Sequence, residues 1–202
     1  MEKRKLIIST SNQKKVDEIT YILKDLPIEI LSKKDIGLEG LNVIENGNTL
    51  EENSRIKAKA LADKVDYIIM ADDSGLFVDI LNGDPGVYSS RYSGEEGNDE
   101  KNNKKLLKEL KDISLENRKA KFMSVIVLIT EDKEELVVEG QCKGTIGFEL
   151  KGNKGFGYDP LFTPEGYSKT FGELGEEVKN KISHRFKALE LLKNELEKIV
   201  LK

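Results

Sequence analysis

Residues 67–75 read Tyr67-Ile68-Ile69-Met70-Ala71-Asp72-Asp73-Ser74-Gly75, an apolar run followed at once by two adjacent carboxylates, a hydroxyl and a glycine. The run through Ala71 predicts a buried strand, the DDSG segment its end, and Leu76 to Leu81 the next stretch. In open α/β sheets the ligand crevice lies outside the carboxyl ends of the strands, so the two aspartates are expected at a working edge.

Upstream, Thr49-Leu50-Glu51-Glu52 has the capping-box pattern and predicts a helix, with Ile56, Ala60, Leu61 and Val65 as its apolar stripe. Before it, residues 33–48 are polar with Gly37, Gly40 and Gly47, which predicts a loop. At the start of the chain, Leu6 to Ser9 predicts a short buried strand. Thr10, Ser11 and Asn12 supply capping chemistry to a helix carrying Val16, Ile19, Ile22 and Leu23; Pro27 stops it, and Ile28 to Leu31 predicts a second strand.

Downstream, a helix is expected over 99–111 with Leu106, Leu107 and Leu110 inward. Ala120 to Thr130 predicts the clearest strand, Glu131-Asp132-Lys133 a turn, and Leu136 to Gln141 an antiparallel return. A last helix begins near Ser183, with Phe186, Leu189, Leu192, Leu196 and Ile199 on one face. No internal repeat or low-complexity segment interrupts the chain. Early strand–helix alternation followed by a hairpin predicts an α/β fold, a mixed β-sheet with helices packed on it.

The chain has 202 residues, 38% hydrophobic and 35% charged, enough for a real core and too apolar in its runs for disorder. A net charge of −4 argues against a broad nucleic-acid footprint. One cysteine, Cys142, excludes an intramolecular disulfide and a Cys-rich zinc site. No run approaches the ~18 apolar residues of a membrane span, so a soluble, cytoplasmic protein is expected.

Five segments carry candidate chemistry. Thr10, Ser11, Asn12, Gln13, Lys14 and Lys15 lie where a strand feeds a helix N-terminus, a natural anion site, although by itself the segment reads equally as an ordinary cap. Asp72 and Asp73 offer oxygen ligands to Mg²⁺, one facing the metal and the other bracing the chain, or else form an Asp-rich turn. Glu45, Glu51 and Glu52 hold a possible second metal ligand, though each alone reads as a surface glutamate. In Gly155-Phe156-Gly157-Tyr158-Asp159-Pro160 the glycines admit close approach of a ligand, two aromatics offer faces to a flat base, and Asp159 an acceptor. Lys179 and His184-Arg185, with the only histidine, suit a purine and phosphates; a lone His opening a helix is more often a cap.

Six motifs in order carry a resemblance. They are Thr10–Lys15 with Glu18; Glu52-Asn53 with Lys57-Ala58; Ala71–Leu76; Pro85–Tyr92; Gly155–Pro160; and Ile182-Ser183-His184-Arg185. In these the chain resembles the inosine triphosphate pyrophosphatase family over nearly its whole length. Ser54, Ser90 and Val178 depart from that family's usual residues. The resemblance implies one two-lobed domain over 1–202, an elongated mixed β-sheet with flanking helices and two lobes around a central cleft, and a homodimer. It implies hydrolysis of ITP, dITP or XTP to the monophosphate and pyrophosphate. Glu45 and Asp73 would hold Mg²⁺ and Asp73 would accept the proton of water; apart from the resemblance, Lys15 is the basic residue best placed to assist catalysis by neutralising phosphate charge. Thr10–Lys15 would grip the triphosphate; Ser74, Phe156, Gly157, Tyr158, Asp159, Lys179, His184 and Arg185 would contact the nucleotide. A nucleotide-binding regulatory module and a pyrophosphatase for modified pyrimidine triphosphates are the alternatives; the paired aspartates, unwelcome beside phosphates without a metal, favour an enzyme.

Overall fold

The first strand, β1 (Arg4–Ile8), runs parallel to β2 (Ile28–Ser32), with Leu6 opposite Ile30, and to β3 (Ile68–Val78), with Leu6 opposite Ile68. The structure is a computed structural model that describes residues 3–200. With β4 (Lys119–Ile129), β5 (Glu135–Ile146) and β6 (Phe162–Pro164) these strands form one mixed sheet in the order β2-β1-β3-β4-β5-β6, with β5 and β6 antiparallel. The helices are α1 (Gln13–Leu23), α2 (Leu50–Ala62), α3 (Asp99–Glu109), α4 (Phe171–Leu174), α5 (Glu176–Ile182) and α6 (His184–Val200). The mixed α/β class expected from the sequence is observed.

The chain divides into two compact units. One comprises the residues up to Asp73, Ser124–Gly140 and those from Arg185; the other comprises Ser74–Met123 and Gln141–His184. In the first unit Leu6, Ile8, Met70, Ile126 and Leu128 pack with Ile19 and Leu23 of α1 and Leu189, Leu192 and Leu196 of α6. Alternate residues on the same strands, Ile7, Ile69, Ala71, Val127 and Ile129, pack with Ala58 and Leu61 of α2. Strand periodicity thus gives both faces an apolar layer. The second unit has its own core, in which Phe122, Phe162 and Phe171 meet Leu76, Leu106, Tyr158 and Leu161. Phe122 and Phe162 lie edge to face at 4.7 Å, a favoured aromatic geometry.

Three expectations change. The DDSG segment does not end a strand: β3 continues through it to Val78. Each of its carboxylates is paired with a cation, as described below, so the ladder can carry them in a buried interior. The stripe of α2 is rotated from the apolar reading. Its buried residues are Leu50, Asn53, Ser54, Lys57, Ala58, Leu61 and Ala62, because polar side chains on that face bond to neighbouring chain. The capping box at Thr49 is half made: Thr49 Oγ1 accepts from Glu52 N–H, whereas Glu52 accepts from Asn48 N–H. Helices α4 and α5 and strand β6 were not expected. No helix among the described residues is long and apolar enough to cross a membrane.

Candidate active site

Asp72 is completely buried in the first unit. Its Oδ2 meets Arg185 Nη2 at 2.9 Å and Lys15 Nζ at 2.9 Å, and its Oδ1 accepts from the Ser124 hydroxyl. Arg185, 1% exposed, also pairs with Glu18. The elements bring these groups together because each sits on a buried helical stripe or strand: Glu18 beside Ile19 and Ile22, Arg185 ahead of Ala188 and Leu189. Burial alone would raise the Asp72 carboxyl, but Arg185, Lys15 and the Ser124 hydroxyl hold it well below the usual carboxylate range. The network sets two carboxylates, Asp72 and Glu18, against two cations, Arg185 and Lys15. Burial lowers the Lys15 ammonium, an effect Asp72 opposes.

Asp73 belongs to a different group. Its Oδ1 accepts from Lys57 Nζ at 2.7 Å, and the same ammonium reaches Glu45 Oε2 at 3.0 Å. Lys57 also donates to Asp72 C=O at 3.1 Å. Burial lowers the Lys57 ammonium, but Asp73 and Glu45 outweigh it and the net shift is upward. Here two carboxylates face one cation. Asp73 Oδ2 is buried and has no hydrogen-bond partner among the described residues. Uncompensated negative charge and an orphaned carboxylate oxygen fit a hard divalent cation, which prefers oxygen ligands and takes the remainder from water and phosphate. Two protein carboxylates are what such a shared site needs; among the described residues no group of three or more His, Cys, Asp or Glu side chains forms a metal cage.

Of the predicted phosphate loop, Thr10 is half-buried and Ser11, Asn12, Gln13 and Lys14 are exposed. Asn12 caps α1, its side chain accepting from the N–H groups of Lys14 and Lys15, so those two amides are less free than the sequence suggests. Lys15 is brought to Asp72, joining the loop to the carboxylates within one unit.

Glu51 pairs with Arg55 at 2.8 Å and Glu52 accepts from Asn48 N–H, so neither joins Asp73. The remaining predicted residues lie in the second unit, Ser74 half-buried among them. Asp159 Oδ2 accepts from Phe156 N–H at 2.9 Å and from Lys179 Nζ at 2.7 Å, and Lys179 stands 4.1 Å from the centre of the Phe156 ring. Gly155 is required at φ +76°: a Cβ there would come within 2.1 Å of Asp159 Oδ2. Tyr158 is not a second surface face; it lies in the core and donates its hydroxyl to Ser89 C=O at 2.9 Å. His184 is buried and stacks on Phe122 at 4.9 Å. The sequence reading assigned no role to Lys57 and Glu18, although both stand where an apolar stripe would place a hydrophobe.

The sequence pattern of the Ham1 family matches residues 6–195. The chain is 50% identical over 203 residues to the dITP/XTP pyrophosphatase of Clostridium perfringens (strain 13 / Type A), covering 98% of this chain and 99% of that protein. It is similar to the structure of a HAM1 protein from Coxiella burnetii, with TM-score 0.86 and 36% identity over 96% of this chain and 99% of the other. The Staphylococcus aureus Ham1 protein gives TM-score 0.84 and 38% identity, again over 96% and 99%.

Proposed function

The chain belongs to the Ham1 family, and from that premise we propose that it hydrolyses non-standard purine nucleoside triphosphates, ITP, dITP and XTP, to the monophosphate and pyrophosphate. The observation that carries the reading is the orphaned Asp73 Oδ2 beside a Glu45–Lys57–Asp73 group with one carboxylate in excess. Glu45 and Asp73 would hold Mg²⁺, and the ion would neutralise charge on the phosphates.

Asp73 accepts a proton from the water that attacks the α-phosphorus, and the α–β bridging bond breaks with its oxygen leaving on pyrophosphate. Lys15, from the Thr10–Lys15 loop, and Lys57 stabilise the negative charge that develops. Asp72 holds Lys15 in place and is itself held by Arg185, which also contacts the nucleotide. In the second unit Phe156 stacks on the base, while Ser74, Gly157, Tyr158, Asp159, Lys179 and His184 shape its surroundings. Selection of a 6-oxo purine over adenine rests on polar groups that the 6-amino group mismatches. We also propose a single domain over 1–202, since neither unit is one continuous stretch of chain, and a cytoplasmic homodimer, as the family resemblance implies.

The test is a panel of ITP, dITP, XTP, GTP, ATP and a modified pyrimidine triphosphate with Mg²⁺ in ¹⁸O-labelled water. The expected result is pyrophosphate as the first product, with label in the inosine or xanthosine monophosphate. Orthophosphate as first product, or label in pyrophosphate, overturns the bond assignment.

A further inference from the structure

The turn that presents Phe156 is gripped by α3. Gly157 N–H donates to Asp99 Oδ2 at 2.7 Å, and Gly157 C=O accepts from Asn103 Nδ2 at 2.9 Å. Asp99 and Asn103 are one helical turn apart on α3, so they face the same way and take both polar groups of one residue. Gly157 has φ +61°, which side-chain-bearing residues seldom adopt, and nothing lies within 4 Å of where its Cβ would stand. Glycine is therefore needed there for backbone conformation, not for space.

The same helix organises the segment behind the turn. Asn102 donates to Ser90 C=O at 3.1 Å and accepts from Ser93 N–H at 2.8 Å, and Tyr158 donates its hydroxyl to Ser89 in that segment. Two buried asparagines on a helix are expensive unless they serve a purpose, and Asn103 Oδ1 has no partner among the described residues. Packing alone does not account for them, whereas fixing backbone does.

We infer that Asp99 and Asn103 are positioning residues for base recognition: through the Gly157 peptide, α3 sets the pose of the Phe156 ring. This rests on the reading of Phe156 as the purine platform. Neither residue takes part in the chemistry, so losing the grip weakens binding of the base and leaves the chemical step in place.

The experiment compares D99A, N103A, D99N and F156A by hydrogen exchange at Gly157 and by steady-state kinetics with ITP. Asp99 is exposed, so D99A is expected to fold even where the buried N103A does not. In D99A, exchange at Gly157 should accelerate and KM for ITP should rise about tenfold with kcat nearly constant, an effect within the reach of base–aromatic stacking. D99N keeps an oxygen acceptor and should restore both. Unchanged exchange in D99A overturns the grip. Faster exchange with unchanged KM, while F156A raises KM, overturns the positioning role and leaves the platform standing. An F156A enzyme with unaltered KM for ITP overturns the platform, and the inference with it.

Discussion

Lys57 and Asp73 form a buried ion pair at 2.7 Å that engages only one of the two carboxylate oxygens of Asp73. On the proposed function the other oxygen serves the metal site and the attacking water, so D73N removes chemistry without emptying the pair's surroundings. Turnover of ITP should fall on the order of 10²–10³-fold or more, since an oriented charge at the reaction centre is lost. Lys57 keeps Glu45 as partner, so the urea midpoint should shift little. A metal titration followed by thermal shift in the presence of a non-hydrolysable triphosphate should stabilise the wild type and barely move the variant.

Asp72 and Arg185 behave oppositely. Asp72, Glu18 and Arg185 are buried and paired with one another, so removing one member strands a buried charge. R185M leaves Asp72 and Glu18 without their shared guanidinium and should cost about 3–5 kcal/mol of stability, measured by urea unfolding. A loss of activity in R185M with an unchanged urea midpoint would show a direct substrate contact alone.

Acid should find the same weak point. The folded-state Asp72 carboxyl lies below its unfolded value, so its contribution to stability is complete above about pH 3.9 and disappears as pH falls towards the folded value. Unfolding midpoints followed from pH 6 down to pH 2.5 should decline steeply below about pH 4 in the wild type. In D72N, already destabilised at neutral pH, that part of the decline should be missing.

The fold was legible in the sequence wherever apolar periodicity was clean. Leu6–Ile8, Ile126–Ile129 and the Leu189–Leu192–Leu196 stripe are core as expected. Legibility failed where charged side chains occupy core-facing positions, because periodicity scores them as surface. Lys57, Glu18 and Arg185 each lie on the buried stripe of a helix, which shifts the apparent apolar stripe of α2 a step out of phase and hides Lys57 as a functional group. A charge in phase with buried neighbours is the signal that finds such residues. The continuation of β3 through Asp72 and Asp73 was hidden for a related reason: the cations paired with them come from α1, α2 and α6, remote in sequence.

The loop carrying Glu45 supplies the last prediction. Lys33 Nζ, buried, donates to Leu41 C=O at 3.1 Å, and Asn53 Oδ1 accepts from Gly47 N–H at 2.8 Å. Glu45 therefore lies between two fixed points, the second only two residues away. Gly47 has no room for a side chain, because a Cβ would come within 2.6 Å of Glu52 Cβ and 2.8 Å of Asn53 Oδ1. Removing the Asn53 amide frees the loop without touching either proposed ligand, and groups that orient metal ligands typically cost about 10–100-fold in metal affinity or activity when lost. N53A should raise the Mg²⁺ concentration giving half-maximal ITP hydrolysis by that order, with activity recovered at saturating metal. G47A should reproduce the effect by displacing the same loop. If both variants lose activity that excess metal cannot restore, Asn53 holds more than the position of Glu45.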